Sequence, residues 1–498
     1  MEQTTAFGAL NYLVLGSYIT AMIAIGLAFA GRQSSLQHYV LAGRSLPWIA
    51  VAMSMYASVT SAMTFMGLPG MAYRQNLSLL VVSLMSPLVA PILIFLIYPL
   101  YRRLRITTSY EYILHRFGPR ARYAVAGLFI CARLSWLATV IYAPALALHV
   151  TTDVPLGLAI VLIGGMATIY CVLGGLSAVV WTDVPQFIIM IGGAVWIAAE
   201  ICLSVPGGFT GILAEGHAAD KLVAFNWSFR LGEMTALGVA IAYFFILIQD
   251  YGVDQVTVQR MMAIKDDRGV TKAILFNAVT DFVIIALLLF VGLGLFIFYQ
   301  QHPGHLPPDL RPDRVLPWFI LHELPAGISG LLIAALFAAA MSSVDSGLNS
   351  LTTVILHDIA GPLRTRSGGT NPWLTVNRAR LLTFLLGVTA SLVALLVYQK
   401  IEGIIRAFYT YMGLFSAPVL ALFLLGMLTR SANALGWMLA TLVSITTILT
   451  IKHLDLMDEI HLFPLSTLLT FILGFGLSHL IPDRQTNPNA SWSDVMRR

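Results

Sequence analysis

Charge is scarce in this chain. Of 498 residues only 11% are Asp, Glu, Lys or Arg, against 58% hydrophobic and a mean hydropathy of +0.82, whereas a soluble globular domain carries about a quarter charged residues. A water-exposed fold is thereby excluded and an integral membrane protein expected. Cysteine is scarce too. Cys131, Cys171 and Cys202 all lie within apolar runs, outside any CxxC pair, so neither a disulfide framework nor a cysteine metal site is indicated. The sequence has no HExxH, no GxSxG and no pair of histidines at membrane depth, which removes support for an intramembrane hydrolase. A repeated filter segment, as a channel would favour, is also missing. The net charge of +5 raises nucleic acid as a partner, but the Lys and Arg are confined to short loops between apolar segments and read as membrane topology. The opening MEQTTAFGALNYLVLGSYITAMIAIGLAFA lacks a basic start and a small-residue cleavage site, so it reads as a retained span.

What is present is a series of apolar stretches of spanning length. About thirteen transmembrane helices are expected, near 7–30, 45–73, 77–101, 121–149, 154–173, 181–204, 235–263, 270–299, 315–358, 380–398, 403–428, 432–451 and 461–481. With the N-terminus outside, the inner loops hold about 20 Lys and Arg and the outer ones about 7, which orients the N-terminus out and the C-terminus in the cytoplasm. The inner side then includes YRRLRITTSYEYILHRFGPRARY, MMAIKDDRGVTK, PLRTRSGGTNPWLTVNRAR and the tail PDRQTNPNASWSDVMRR. Two outer stretches, SVPGGFTGILAEGHAADKLVAFNWSFRLGE and YQQHPGHLPPDLRPDRV, read as irregular loops capping an entrance. No soluble domain of useful size remains, so function must reside in the bundle.

Polar groups at hydrocarbon depth are costly and face a partner, a cavity or an ion. FAAAMSSVDSGLNS, residues 337–350, puts Ala339, Ser342, Ser343, Asp345, Ser346, Asn349 and Ser350 within an arc of about 160° on one helix face. Such an oxygen-rich face suits a hard cation; close helix packing through small residues is the alternative. In SMYASVTSAMTFMGLPGMAY, Ser54, Ala57, Ser58, Ser61 and Thr64 share a face, and the Gly-Leu-Pro-Gly is expected to break the helix. FFILIQDYGVDQVTVQRMMA places Gln249, Asp250, Tyr251, Gly252, Asp254 and Gln255 partway along a second interrupted helix. Interrupted helices in corresponding positions of two halves point to an inverted-repeat transporter. Arg133, in the middle of the fourth span, needs a negative partner, either a substrate carboxylate or a protein one. Asp183 opens the sixth span as a helix N-cap or as a cation ligand.

The stretches TSYEYILHRF, VIYAPALAL, LGGLSAVVWTDVPQ, YGVDQVTVQR and FAAAMSSVDSGLNS resemble the sodium/solute symporter family over about residues 7–480. VIYAPALAL, WTDV and YGVDQ are similar to its animal iodide, monocarboxylate and multivitamin members; FAAAMSS, SAMTFM and Arg133 are similar to its bacterial sialic acid members. The resemblance implies an all-α membrane protein of leucine-transporter type. Two five-helix inverted repeats, 45–204 and 235–428, would follow one extra N-terminal helix at 7–30 and precede two extra helices at 432–481, in one transporter domain spanning 1–498. It implies a sodium site from the carbonyls of Ala57, Thr60 and Ala339 with the hydroxyls of Ser342 and Ser343. It also implies a second sodium at Asp183, Ser342, Asp345 and Ser346, where Asp345 replaces a serine of the sialic acid type. The substrate pocket would comprise Ser61, Thr64, Ser83, Arg133 and Phe245, with Ser83 in place of a glutamine. The implied activity is sodium-coupled symport of a small organic solute such as a sugar acid or monocarboxylate, by alternating access and without an enzymatic step. A monomer in the inner membrane would carry it out. A neutral sugar or amino acid as the solute, or a non-transporting sensor, are the alternatives.

Overall fold

The structure, a computed structural model, describes residues 8–29, 35–152, 154–225, 227–228, 230–232, 235–361, 375–397, 404–483 and 486–497. Its helices are α1 (Ala9–Phe29), α2 (Leu36–Leu41), α3 (Trp48–Val59), α4 (Ala62–Arg74), α5 (Leu80–Ile92), α6 (Tyr98–Leu104), α7 (Ser109–Phe117), α8 (Pro119–Thr152), α9 (Leu156–Ser204), α10 (Gly208–Ala218), α11 (Ala236–Ile248), α12 (Gln255–Met262), α13 (Asp267–Gln301), α14 (Val315–His322) and α15 (Ile328–Val354). There follow α16 (Val376–Val397), α17 (Ile404–Tyr411), α18 (Ala417–Leu428), α19 (Ala434–His453), α20 (Leu462–Leu480) and α21 (Trp492–Arg497). Most of the expected inner stretch PLRTRSGGTNPWLTVNRAR lies outside the described residues.

Among the described residues, 11 helical segments are long and apolar enough to cross a membrane, and 12 if the bent pair α3 and α4 is one span. The expected span at 154–173 corresponds to a shorter apolar helix, Leu156–Ile169. It runs into the next segment inside α9, which bends at Gly175 (φ 57°). A side chain there would be strained by the positive φ and would meet the Tyr39 carbonyl at 2.7 Å, so only glycine lets α2 lie against this bend. Because α9 is helical on both sides of Gly175, Asp183 sits well inside the helix and caps nothing, contrary to the N-cap reading.

Three further expectations are corrected. The break in the second span falls at Thr60 and Ser61, where both residues are extended and α3 and α4 meet at 55°; Pro69 is carried inside α4. The Gly-Leu-Pro-Gly serves close packing, since a Cβ on Gly292 of α13 would come within 2.3 Å of the Pro69 carbonyl oxygen. The expected span 315–358 divides at Leu324–Gly327 into α14 and α15, with Gly327 at φ 89° before α15. The first outer loop contains a helix, α10, seated through buried Ile212 and Gly216.

The remaining interruption is as expected. α11 ends in a widened π turn over Gln249–Val253, Asp254 is extended, and α12 restarts the helix. Between the two breaks lies α15, 89% of whose spanning window is buried. It packs along α9, α8 and α3, which places its polar face at the centre of the bundle.

Candidate functional site

Breaking a helix frees carbonyls that would have accepted bonds from the next turn. At the α3 break the Ala57 and Ser58 carbonyls are so released, and α15 takes them up. Ser342 Oγ donates to the Ala57 carbonyl at 2.7 Å and approaches the Ala339 carbonyl at 3.3 Å. Ser343 Oγ lies 3.1 Å from the Ser58 carbonyl and 3.2 Å from that of Ala339. Four of the five residues expected at the first sodium site, Ala57, Ala339, Ser342 and Ser343, are thus brought together. Ser58 joins them through its carbonyl. The fifth, Thr60, lies at the break and lines the neighbouring cavity. The set consists of neutral hard oxygens on two buried helices, and each hydroxyl proton now bridges oxygens that a cation could bridge instead.

One turn further along, the residues expected at a second sodium site form a different arrangement. Asp183 Oδ2 accepts Ser54 Oγ at 2.6 Å and pairs with Arg260 Nη2 at 3.3 Å. Arg260 also donates through Nε to Ser54 Oγ at 2.8 Å and through Nη2 to Ser346 Oγ. Ser346 Oγ lies 2.7 Å from Ser58 Oγ and 3.0 Å from Asp345 Oδ1. A guanidinium therefore already satisfies one oxygen of Asp183 and the Ser346 hydroxyl, while Asp183 Oδ1 is buried without a hydrogen-bond partner. Sequence reasoning missed Arg260. Its signal was the one used for Arg133, a cation inside an expected span, but its place near the span end made it look like a topological charge.

Beside the α3 break a central cavity encloses about 190 Å³, room for a small organic solute and too little for a polymer. Its wall includes Ser61, Thr64 and Arg133, three of the five expected substrate residues. The other two are elsewhere. Ser83 is buried in α5 with its hydroxyl turned onto the Leu80 carbonyl at 2.7 Å, and the cavity face of that helix is Leu79, Val82 and Ser86. Phe245 packs edge-on against Phe244, while Tyr243, Ile246, Leu247 and Asp250 present α11 to the cavity. Both positions are one step off the helical repeat that faces inward.

Arg133 has a protein partner: its Nη2 donates to Asp254 Oδ2, in close contact. Asp254 Oδ1 in turn caps α12, accepting Val256 N at 2.8 Å. The guanidinium carbon lies 4.5 Å from the Trp136 ring centre and 5.5 Å from that of Phe129, within the range of cation–π attraction. Two more carboxylates, Asp250 and Asp281, line the cavity. Asp281 Oδ2 accepts both Ser86 Oγ and Tyr251 Oη at 2.7 Å. Asp281 was not foreseen, although an acid amid FNAVTDFVII carries the membrane-depth signal plainly.

Comparison with known proteins identifies the setting of this geometry. The model of the sodium:solute symporter family matches residues 39–444. The chain belongs to that family. Relatives within it include the sodium/sialic acid symporter NanT of Aliivibrio fischeri, 32% identical over 477 residues, which are 95% of this chain and 94% of the relative. Another is the sodium/sialic acid symporter SiaT of Proteus mirabilis, 33% identical over 90% of each chain. A solved structure of a Na+-coupled sialic acid symporter, substrate-bound and outward-open, superposes with a TM-score of 0.89 at 30% identity, covering 95% of this chain and 98% of the other. This symporter is accordingly an all-helical, multi-pass membrane transporter coupled to sodium, and it is no enzyme.

Proposed function

We propose that this symporter carries a small hydroxylated carboxylic acid, a sugar acid of the sialic acid kind, with sodium. The observation that carries the reading is Arg133 on the cavity wall, poised over Trp136 beside the helix break that bears the sodium-type oxygens. A planar guanidinium can share its donors between Asp254 and an incoming carboxylate, which a lysine could not do with the same fork. Asp250 and Asp281 on the same wall are hydrogen-bond acceptors that a bare monocarboxylate or a halide would leave unused. They suit a solute whose hydroxyls donate hydrogen bonds. Ser61 and Thr64 offer further hydroxyls beside the break. The sialic acid substrates named for NanT, for SiaT and for the solved relative agree with this class.

Sodium at Ala57, Ala339, Ser342 and Ser343, with Thr60 adjacent, would tie α15 to the α3 break and so shape the cavity before the solute enters. A second sodium would have to use Asp183 Oδ1 and Asp345, since Arg260 occupies the other side of Asp183. One ion moving with a singly charged acid carries no net charge, so a tenfold sodium gradient supplies roughly 1.4 kcal/mol and about tenfold accumulation, whereas two ions would add the roughly 2.3 kcal/mol of about 100 mV and support about 5,000-fold. In this reading the chain is one transporter domain built of repeats at 45–204 and 235–428. It works as a monomer in the inner membrane, with its N-terminus outside.

The test is uptake into proteoliposomes with and without an inward sodium gradient, for N-acetylneuraminate, gluconate, lactate, glucose, leucine and iodide. Sodium-dependent uptake of the hydroxylated acids is expected. Uptake of glucose or leucine in their place would overturn the acid reading, and binding without uptake would favour a sensor.

A further inference from the structure

A second concavity, of about 750 Å³, shares no lining residue with the central cavity. Four separate stretches of chain build it: the turn after α2, the end of α6, the junction of α12 with α13, and the C-terminal helix α21, which contributes Met496. Among the described residues its cations are Arg44, Arg102, Arg103, Arg105 and Lys265, and its carboxylate is Asp267. That carboxylate is already engaged, by Arg102 Nε at 2.6 Å. Topology requires only that basic residues lie on loops of this face; it does not require that five of them converge on one hollow.

The convergence is held by specific contacts. Arg44 donates to the carbonyls of Arg105 and Ile106 at 3.2 and 2.9 Å, and Arg103 to those of Val495 and Met496 at 3.0 and 2.8 Å. Arg102 reaches the carbonyls of Ile264 and Lys265 at 3.0 and 3.2 Å. Arg44 and Arg105 both take left-handed backbone angles, φ 56° and 50°, uncommon for residues other than glycine. Burial, together with Arg102 and Arg105 nearby, lowers the Arg44 guanidinium below its ordinary range, against the opposing pull of Glu111. Arg105 and Lys265 remain exposed, with their charged ends available to a ligand.

We propose that this cleft binds a phosphate group, presented by an anionic lipid headgroup or by a soluble phosphate compound. Arg105 and Lys265 come from different stretches of chain, with Arg44, Arg102 and Arg103 fixed on carbonyls beside them, and separate donors of this kind suit a phosphate oxyanion; basic pockets at the membrane surface are suited to lipid phosphates. Since the cleft joins α6, α12 and the C-terminal helix, an occupant would brace the segment that follows the second helix break.

The test uses the full chain in detergent, with native mass spectrometry and calorimetry. The probes are dioctanoyl phosphatidylglycerol, dioctanoyl phosphatidylcholine and pyrophosphate. Saturable binding of phosphatidylglycerol, pyrophosphate or both is expected, weakened roughly 30-fold in Arg105→Gln/Lys265→Gln and unchanged in Arg120→Gln, an exposed cation outside the cleft. Binding of phosphatidylglycerol alone assigns the site to lipid, and binding of pyrophosphate extends it to soluble phosphates. Wild-type protein that binds neither, that takes phosphatidylcholine equally well, or whose double variant binds normally would overturn the proposal.

Discussion

Two of the arginines that pair with aspartates in the bundle, Arg260 and Arg133, differ in their surroundings. Arg260 and Asp183 have side chains only 1% and 0% exposed, and Ser54, Ser58 and Ser346 fill the space around them. Arg133 and Asp254 are 12% and 10% exposed, lie on the cavity wall, and have aromatic rings where the other pair has hydroxyls. A charge sealed from the cavity holds elements together and meets no solute. A charge that opens onto a cavity can change partners. The first pair joins α9, α12, α3 and α15 as a strut, and the second is, in the proposed function, the point of exchange for a solute.

The widest separation between the two should come from removing each cation in turn. Arg260→Gln leaves Asp183 buried and uncompensated, a change that costs about 3–5 kcal/mol. The expected outcome is a large fall in the thermal unfolding midpoint of the purified protein, or loss of folded material. A midpoint equal to wild type would mean that the strut bears no structural load. Arg133→Gln should leave that midpoint nearly in place, because its aspartate still caps α12 and can reach cavity water. It should instead weaken carboxylate binding by about 10- to 150-fold, the equivalent of about 1.5–3 kcal/mol for hydrogen bonds to a charged group. Arg133→Lys is expected to fail as a rescue, since a point charge cannot serve two acceptors in a plane. Comparable unfolding losses in both glutamine variants would erase the distinction.

How much of this was legible beforehand follows from the physics of each element. The α15 face was readable because serines and an aspartate at helical spacing have no other reason to sit at membrane depth, and the structure brings Ser342 and Ser343 onto the freed α3 carbonyls. The break itself was misplaced by about two helical turns, because Pro69 and the glycines near it look like a helix breaker while serving close packing against Gly292. Asp183 looked like a helix start because the Gly175 bend was read as a loop. Ser83 and Phe245 were assigned by position in a family pattern, which carries no information about which way a helix is rotated. The α5 and α11 repeats put Ser86 and Asp250 on the cavity instead. Pairings between distant segments, such as Arg260 with Asp183 across 77 residues, are invisible to local periodicity.

Ser342 belongs to neither pair, and its removal tests whether the sodium oxygens can be perturbed without disturbing either. Ser342→Ala deletes one neutral ligand and leaves the Ala57 carbonyl to find water or another donor, a loss of about 1 kcal/mol. The sodium concentration giving half-maximal uptake should rise about 5-fold, with the unfolding midpoint lowered far less than in Arg260→Gln. Unaltered sodium dependence in both Ser342→Ala and Ser343→Ala would remove the sodium assignment from this face.

The smallest expected effect is also the most selective probe of the comparison. Trp136 supplies the Arg133 guanidinium with a polarisable face at 4.5 Å, a contribution that Arg260 does not have among the described contacts. An attraction of this kind near a wet cavity is worth about 0.5–1 kcal/mol. Trp136→Leu should therefore raise the half-saturating concentration of an acidic solute about 2- to 5-fold, with sodium dependence unchanged; Trp136→Phe should lie between. The direction matters more than the size. If the ring only filled space, the loss would extend equally to sodium dependence and to stability. If it holds the guanidinium in the plane that a carboxylate must meet, acidic solutes alone will lose affinity, and Arg133→Gln will make the Trp136 substitution silent.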